Sequence, residues 1–257
     1  MNISNNFKEF IYKKLLSDKK IYKILCSLDN IYEYNENDFA IDLTLFAKTL
    51  TIKYYNKELA KKFRESIKSN NYENAFNILI NEYLYTAIEI EISYSDLPDK
   101  LNRKVLVPIR YNMANLIYLT LSLFGCIESN KFAEILDEKS NEYILMNEIN
   151  DRYNYEDNFN IANDFFIAKF IQDNKKSTII FDYKKDIKFN LEFKKIKLFS
   201  KKYEYQYFVN ILSATGISIN QKDKFNLNKD KIDTLMENIY LDIYEIAINY
   251  ETIDFDD

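Results

Sequence analysis

Ile187-Lys188-Phe189-Asn190-Leu191-Glu192-Phe193-Lys194, residues 187–194, alternates apolar and polar side chains without a break. A period of two belongs to a strand with one face in a core and the other in water. The phase slips at Lys195, because Ile196 and Leu198 take the opposite parity. A bulge or a strand end is expected there. Just upstream, residues 177–183 hold the β-like run Ile179-Ile180-Phe181, and Lys184-Lys185 stands where a hairpin turn would fall. These two runs predict one small antiparallel hairpin.

The rest of the chain reads as helix. Phe7, Phe10, Ile11 and Leu15 recur at helical spacing, and Asp18 can end that helix and cap the next. Residues 39–55 suit a longer helix, and Asn56 can cap another that carries Leu59, Phe63 and Ile67. Ser69-Asn70-Asn71 makes a turn, and residues 72–92 read as its following helix, with Ala75, Leu79, Tyr83 and Ala87 in register. Pro108 stands where a helix can begin, and residues 113–124 are apolar on nearly every side. That segment is expected at the centre of a bundle, closed by Gly125 at positive φ. Residues 203–214 read as helix, and Ile232, Leu235, Ile239, Ile243, Ile246 and Tyr250 line one stripe of a last one, capped by Asn228. The expected fold is mainly α, a multi-helix bundle with a small antiparallel β hairpin in the C-terminal third. The bundle covers residues 1–175 and an α+β part covers residues 176–257, the two packed as one unit.

Composition narrows function by exclusion. There is no His in 257 residues, so Ser-His-Asp and Cys-His catalysis, zinc sites built on imidazole and imidazole pH switches are absent. Two Gly cannot form a phosphate-cradling loop. The residue usage resembles translation from an AT-rich genome. Cys26 and Cys126 lie far apart, which predicts reduced, buried thiols rather than a disulfide framework. The N-terminal residues lack the apolar core of a secretory signal, and the apolar segment at 113–124 is too short to span a bilayer. A cytoplasmic protein is expected, with no membrane contact.

Net charge is -5, which argues against a dedicated nucleic-acid binder. The charge is uneven, however. Residues 175–202 hold ten Lys against Asp182, Asp186 and Glu192, whereas residues 233–257 hold eight acids and no Lys or Arg. The basic segment offers a surface for a polyanion, or for the chain's own acidic face.

Catalysis without His would fall to carboxylates and Lys. Glu192-Phe193-Lys194, preceded by Asp182, resembles the PD-(D/E)xK nuclease pattern, in which acids hold a divalent metal and Lys assists the attacking water. The chain contains six acid-x-Lys triplets, and its composition alone accounts for roughly five. In a tight hairpin Asp182 would also stand roughly 17–20 Å from Glu192, too far to share one metal, so a nuclease would need its first acid elsewhere, such as Asp164 or Asp173. The other candidates are binding residues. Arg110, one of only four Arg, is expected in the first turn of the apolar helix, where it would anchor an anion or an acidic partner. Tyr203, Tyr205 and Tyr207, with Lys194, Lys195 and Lys197, would form a contact surface.

The sequence therefore predicts a non-enzymatic protein that binds a macromolecular partner, foremost another protein, as inhibitors and immunity-type proteins do. It predicts no cofactor and no metal. The alternatives are a metal-dependent nuclease that uses the basic β segment and a structural subunit of a larger assembly.

Overall fold

The computed structural model describes residues 3–28, 36–52, 56–99, 101–126, 133–145, 160–181, 187–198 and 209–216. Five helices come first: α1 (Asn5–Ser17), α2 (Lys19–Leu28), α3 (Glu36–Ile52), α4 (Lys57–Lys68) and α5 (Tyr72–Tyr85). Strands β1 (Thr86–Tyr94) and β2 (Asn102–Pro108) precede α6 (Met113–Leu123). Then come β3 (Ala133–Leu136), β4 (Glu142–Ile144), β5 (Asn160–Ile161), a 3-10 turn at Ala162–Asp164, α7 (Ile167–Phe170), β6 (Lys176–Phe181), β7 (Ile187–Leu198) and β8 (Asn210–Thr215).

The strands form a single eight-stranded sheet in the order β5-β4-β3-β6-β7-β1-β2-β8. Every pairing is antiparallel except β4 with β5. This overturns the all-α helical bundle with a small hairpin: the protein is a mixed α/β fold built on a large sheet. The sheet runs across residues 175–176, since β6 pairs with β3 and β7 pairs with β1.

Three helix readings fail for physical reasons. The helix expected over residues 72–92 ends at Tyr85, and Thr86 begins β1. From Thr86 onward, Ile88, Ile90 and Ile92 alternate with Glu89 and Glu91, and β-branched side chains are stiff against a helical turn but pack well on a pleat. Pro108 ends β2 instead of opening a helix, and Asn112 caps α6 by accepting the Asn115 N–H at 2.8 Å. Residues 210–215, expected within a helix, form the edge strand β8.

Local signals elsewhere act as read. Asn56 caps α4 and Asn71 caps α5, while Asn70 takes φ 57° in the turn between them. Asp18 accepts the N–H groups of Lys20 and Ile21 at the start of α2. Gly125 has φ 70°, its N–H bonds the Ser122 carbonyl and the Cys126 N–H reaches back to Leu121, the pattern of a Schellman motif.

One side of the sheet makes the core. Ile88, Ile90 and Ile92 face Val107, Val105 and Arg103 of β2, while Ile90 and Ile92 face Phe193 and Leu191 of β7. Helix α6 is buried nearly all round, as its composition demands, but it packs on strands: the Phe124 ring that follows it lies 4.8 Å from that of Phe189 on β7. Arg103, fully buried, pins this contact by donating to the carbonyls of Leu123, Asn102 and Thr215. Cys126 is a buried free thiol. Among the described residues no helix is long and apolar enough to cross a membrane.

Candidate functional site

The sheet's other face carries the residues of the acid-x-Lys pattern. Glu192 and Lys194 share it, and β1 brings Glu91 directly opposite Glu192. The Lys194 ammonium sits between them, 2.8 Å from Glu192 and 3.1 Å from Glu91. Lys104 of β2 reaches Glu89 at 2.7 Å and Glu91 at 3.6 Å, and Lys197 pairs with Glu89. Three carboxylates and three ammonium groups thus neutralise one another. The Lys104 and Lys197 contacts hold the Glu89 carboxyl below its ordinary pKa, and Lys194 does the same for Glu192.

A second acid therefore does stand beside Glu192 and Lys194. The sequence set Asp182 aside for its distance and pointed to Asp164 or Asp173 instead; the acid is Glu91, on a segment read as helix. Among the described residues no group of three or more acids or thiols is placed to hold a metal ion. The position a cation would take between Glu91 and Glu192 is filled by Lys194. β6 and β7 pair with Phe181 opposite Ile187 and Lys176 opposite Glu192, so Glu192 lies at the end of the hairpin away from residues 182–186. Lys195 is exposed in the bulge of β7. Asp182, Tyr203, Tyr205 and Tyr207, together with the acidic C-terminal run and its predicted helix, lie outside the described residues.

Arg110 belongs to a different place. It lies in the turn between β2 and α6, before the Asn112 cap, rather than in the first turn of the helix. That turn is clamped to Phe165 and the first residues of α7: the Met113 N–H bonds the Phe165 carbonyl, the Ile167 N–H bonds the Tyr111 carbonyl, and the Ala168 N–H bonds the Ile109 carbonyl. The Arg110 side chain is buried between tyrosines, its guanidinium carbon 5.6 Å from the Tyr83 ring and 5.9 Å from that of Tyr111, and it donates to the Tyr83 carbonyl at 3.4 Å.

A cleft of about 520 Å³ opens in front of it. Leu45, Ile52 and Phe166 contribute apolar lining; Asn112, Asn115 and Asn163 contribute amides. Its charged groups are Lys48, Arg110 and Lys169 against Asp42 and Asp164. The side-chain oxygen of Asn163 is buried there without a hydrogen-bond partner.

Helix α3 forms one rim and is apolar on two opposite sides. Phe39, Leu43, Phe46 and Leu50 are fully buried, with Phe46 wedged between the rings of Tyr83 and Phe166. At 3.6 residues per turn, Ile41, Leu45, Lys48 and Ile52 fall within an arc of about 60° on the outward side. Ile41 is 58% exposed, Leu45 41% and Ile52 64%. Residues 39–55 drew attention in the sequence only as a core helix. The second stripe was readable, since Ile41, Leu45 and Ile52 do not fit the phase of the buried set.

No family model matches this chain. No curated protein matches it in sequence. Among solved structures it is similar to a protein of unknown function from Methanosarcina mazei Go1, at 12% identity over 68% of this chain and 93% of that one, with a TM-score of 0.43. A likeness that distant says nothing of function.

Proposed function

We propose that the chain works by binding another protein, and that it does so through the outward side of α3 and the cleft beside it. The observation that carries this reading is the stripe of Ile41, Leu45 and Ile52, exposed on a helix whose opposite side already fills the core. Isolated apolar side chains on a surface are ordinary; three on one stripe beside a concavity are the kind of patch that interfaces use. An inhibitor or immunity-type protein would use such a face, and residence in the cytoplasm belongs to the same reading.

The test is capture from the cell that makes the protein, with the wild type and with Ile41→Glu/Ile52→Glu. The expected result is a protein partner that the double variant fails to recover, while circular dichroism and the melting temperature stay as in the wild type. The same partner recovered equally by both would refute the reading. The nuclease alternative is the weaker one, because the ammonium of Lys194 already occupies the gap between Glu91 and Glu192. It requires Mg²⁺-dependent cleavage that Glu192→Ala abolishes; no cleavage by either chain is expected. A structural subunit would self-assemble when purified, which size-exclusion chromatography would detect.

A further inference from the structure

We infer that the outward side of α1 and α2 docks on an anionic lipid surface, its lysines against the headgroups and Tyr12 and Leu16 in the interfacial layer. This goes beyond the protein-binding reading and uses a different part of the molecule. Residues 5–24 hold six Lys against Glu9 and Asp18, in a chain whose net charge is -5. Lys14 pairs with Glu73. Lys8, Lys13, Lys19, Lys20 and Lys23 are exposed, and none of them makes an ion pair among the described residues. Asp18 is engaged at the helix boundary, where it accepts the N–H groups of Lys20 and Ile21. Glu9 is the one exposed acid among residues 5–24.

These lysines share a side with two apolar residues. On α1, Phe7, Ile11 and Leu15 fill the core, and Lys8, Tyr12 and Leu16 form the next i, i+4 row outward. Tyr12 is 37% exposed and Leu16 50%. Only Asp18 separates α1 from α2, so Leu16 stands within a turn of Lys19 and Lys20. On α2, Leu25 is fully buried, and Lys19, Lys20 and Lys23 fall within an arc of about 100° on the opposite side.

The side chains choose among polyanions. A nucleic acid is suited by Arg, whose fork grips phosphates and base edges, and residues 5–24 contain none. The described arginines serve the fold instead: Arg64 donates to the Thr51 carbonyl, and Arg103 and Arg110 are buried. Phosphate contacts also offer nothing to an exposed Leu. A lipid surface suits both kinds of residue: Lys meets the headgroup charge, Tyr sits at headgroup level and Leu enters the acyl boundary. The rest of the chain carries the net negative charge, so the membrane's field turns this face toward it. No spanning helix is needed, and the expectation of no membrane contact rested on the lack of one.

The full chain is sedimented with vesicles of phosphatidylcholine alone and of phosphatidylcholine with about 30% phosphatidylserine, at about 0.1 M salt. Binding is expected to the second only, and to weaken at least about tenfold at about 0.5 M salt. Lys19→Gln/Lys20→Gln/Lys23→Gln should weaken it by about a hundredfold and Leu16→Ser by about fivefold, with circular dichroism unchanged. Lys139→Gln/Lys175→Gln/Lys176→Gln removes the same charge from exposed lysines elsewhere and should weaken binding by no more than about threefold. Equal loss in the two triple variants would mean that net charge alone acts, and would overturn the inference. So would a lack of binding to the phosphatidylserine vesicles, or tighter binding to a DNA duplex of about 20 bp. Ile41→Glu/Ile52→Glu should sediment as the wild type does, so this inference and the protein-binding reading can fail separately. Loss of sedimentation in that variant would place the contact on α3 and overturn the assignment to α1 and α2.

Discussion

Replacing Arg103 by Met should destabilise the fold by about 2–4 kcal/mol, and the structure supplies each part of that figure. The side chain is 0% exposed. Its Nε donates to the Leu123 carbonyl at 3.1 Å, and its Nη1 donates to Asn102 at 2.9 Å and Thr215 at 2.6 Å. The Leu123 carbonyl belongs to the last turn of α6, where no intrahelical donor is left. Met fills the stem's volume against the Phe124 ring but offers no donor. Two carbonyls from distant elements, Leu123 and Thr215, would then be deprived of this donor, at about 1–3 kcal/mol each. Burial of the guanidinium works the other way: it pushes the Arg103 pKa down to about 10, a penalty that Met removes. The balance is a loss smaller than the carbonyls alone would give. Urea unfolding at pH 7, followed by far-ultraviolet circular dichroism, measures it. Arg103→Lys, which keeps one charged donor group, should fall between the Met variant and the wild type. A Met variant within about 0.5 kcal/mol of wild type would refute the idea that these carbonyl contacts tie α6 to β2 and β8.

The pairs on the sheet's outer face set an acid limit. The folded pKa values of Glu89 and Glu192 lie below 4.5, so the stability these groups add is complete above that pH and is lost as pH falls through the lowered values. The urea midpoint should therefore drop on acidification below 4.5, and drop less in Glu89→Gln, as denaturation at pH 7 and pH 4 would reveal. The two sides of α3 should behave as opposites: Phe46→Ala should lose about 3–5 kcal/mol in the same assay, and Ile52→Ala less than about 0.5. Asn71→Ala should lose about 1 kcal/mol, because its side chain caps α5 by accepting the Asn74 N–H.

Local chemistry was legible and long-range pairing was not. Asn56, Asn71 and Gly125 announce helix ends through their own side chain or lack of one, and residues 113–124 announce burial by being apolar on every side. The alternation at 187–194 gave β7 directly. β1 escaped because it follows α5 with no Gly or Pro between Tyr85 and Thr86, so a helical phase could be carried through Ala87. The clue was there in Ile88, Ile90 and Ile92, but a period of two over so few residues competes poorly with the longer helical pattern before it. β1 pairs with β7, about a hundred positions later, and nothing in a single sequence records that partnership. The site followed the same rule. Arg110 stood out by rarity, yet its neighbours Lys48, Asn163 and Lys169 come from segments that only the fold brings together.

The slip at Lys195 shows how one residue decides what a surface can do. Ile88 faces Ile196 and Ile90 faces Phe193, so Lys194 and Lys195 together oppose Glu89. Were this same sequence a regular strand with no bulge, Lys197 would share the parity of Leu191 and Phe193 and point into the core, while Ile196 would point to water. With it, Lys194 and Lys197 both emerge on the outer face, where Glu89, Glu91 and Glu192 await them. The triplet that resembles a nuclease motif is held in ion pairs by Glu91 in regular register, and the bulge adds the Lys197–Glu89 pair beside it. The basic character of residues 187–198 is largely cancelled across the sheet, and with it much of the attraction for a polyanion. On α3 an exposed apolar stripe and Lys48, which has no ion pair among the described residues, adjoin the cleft of Arg110.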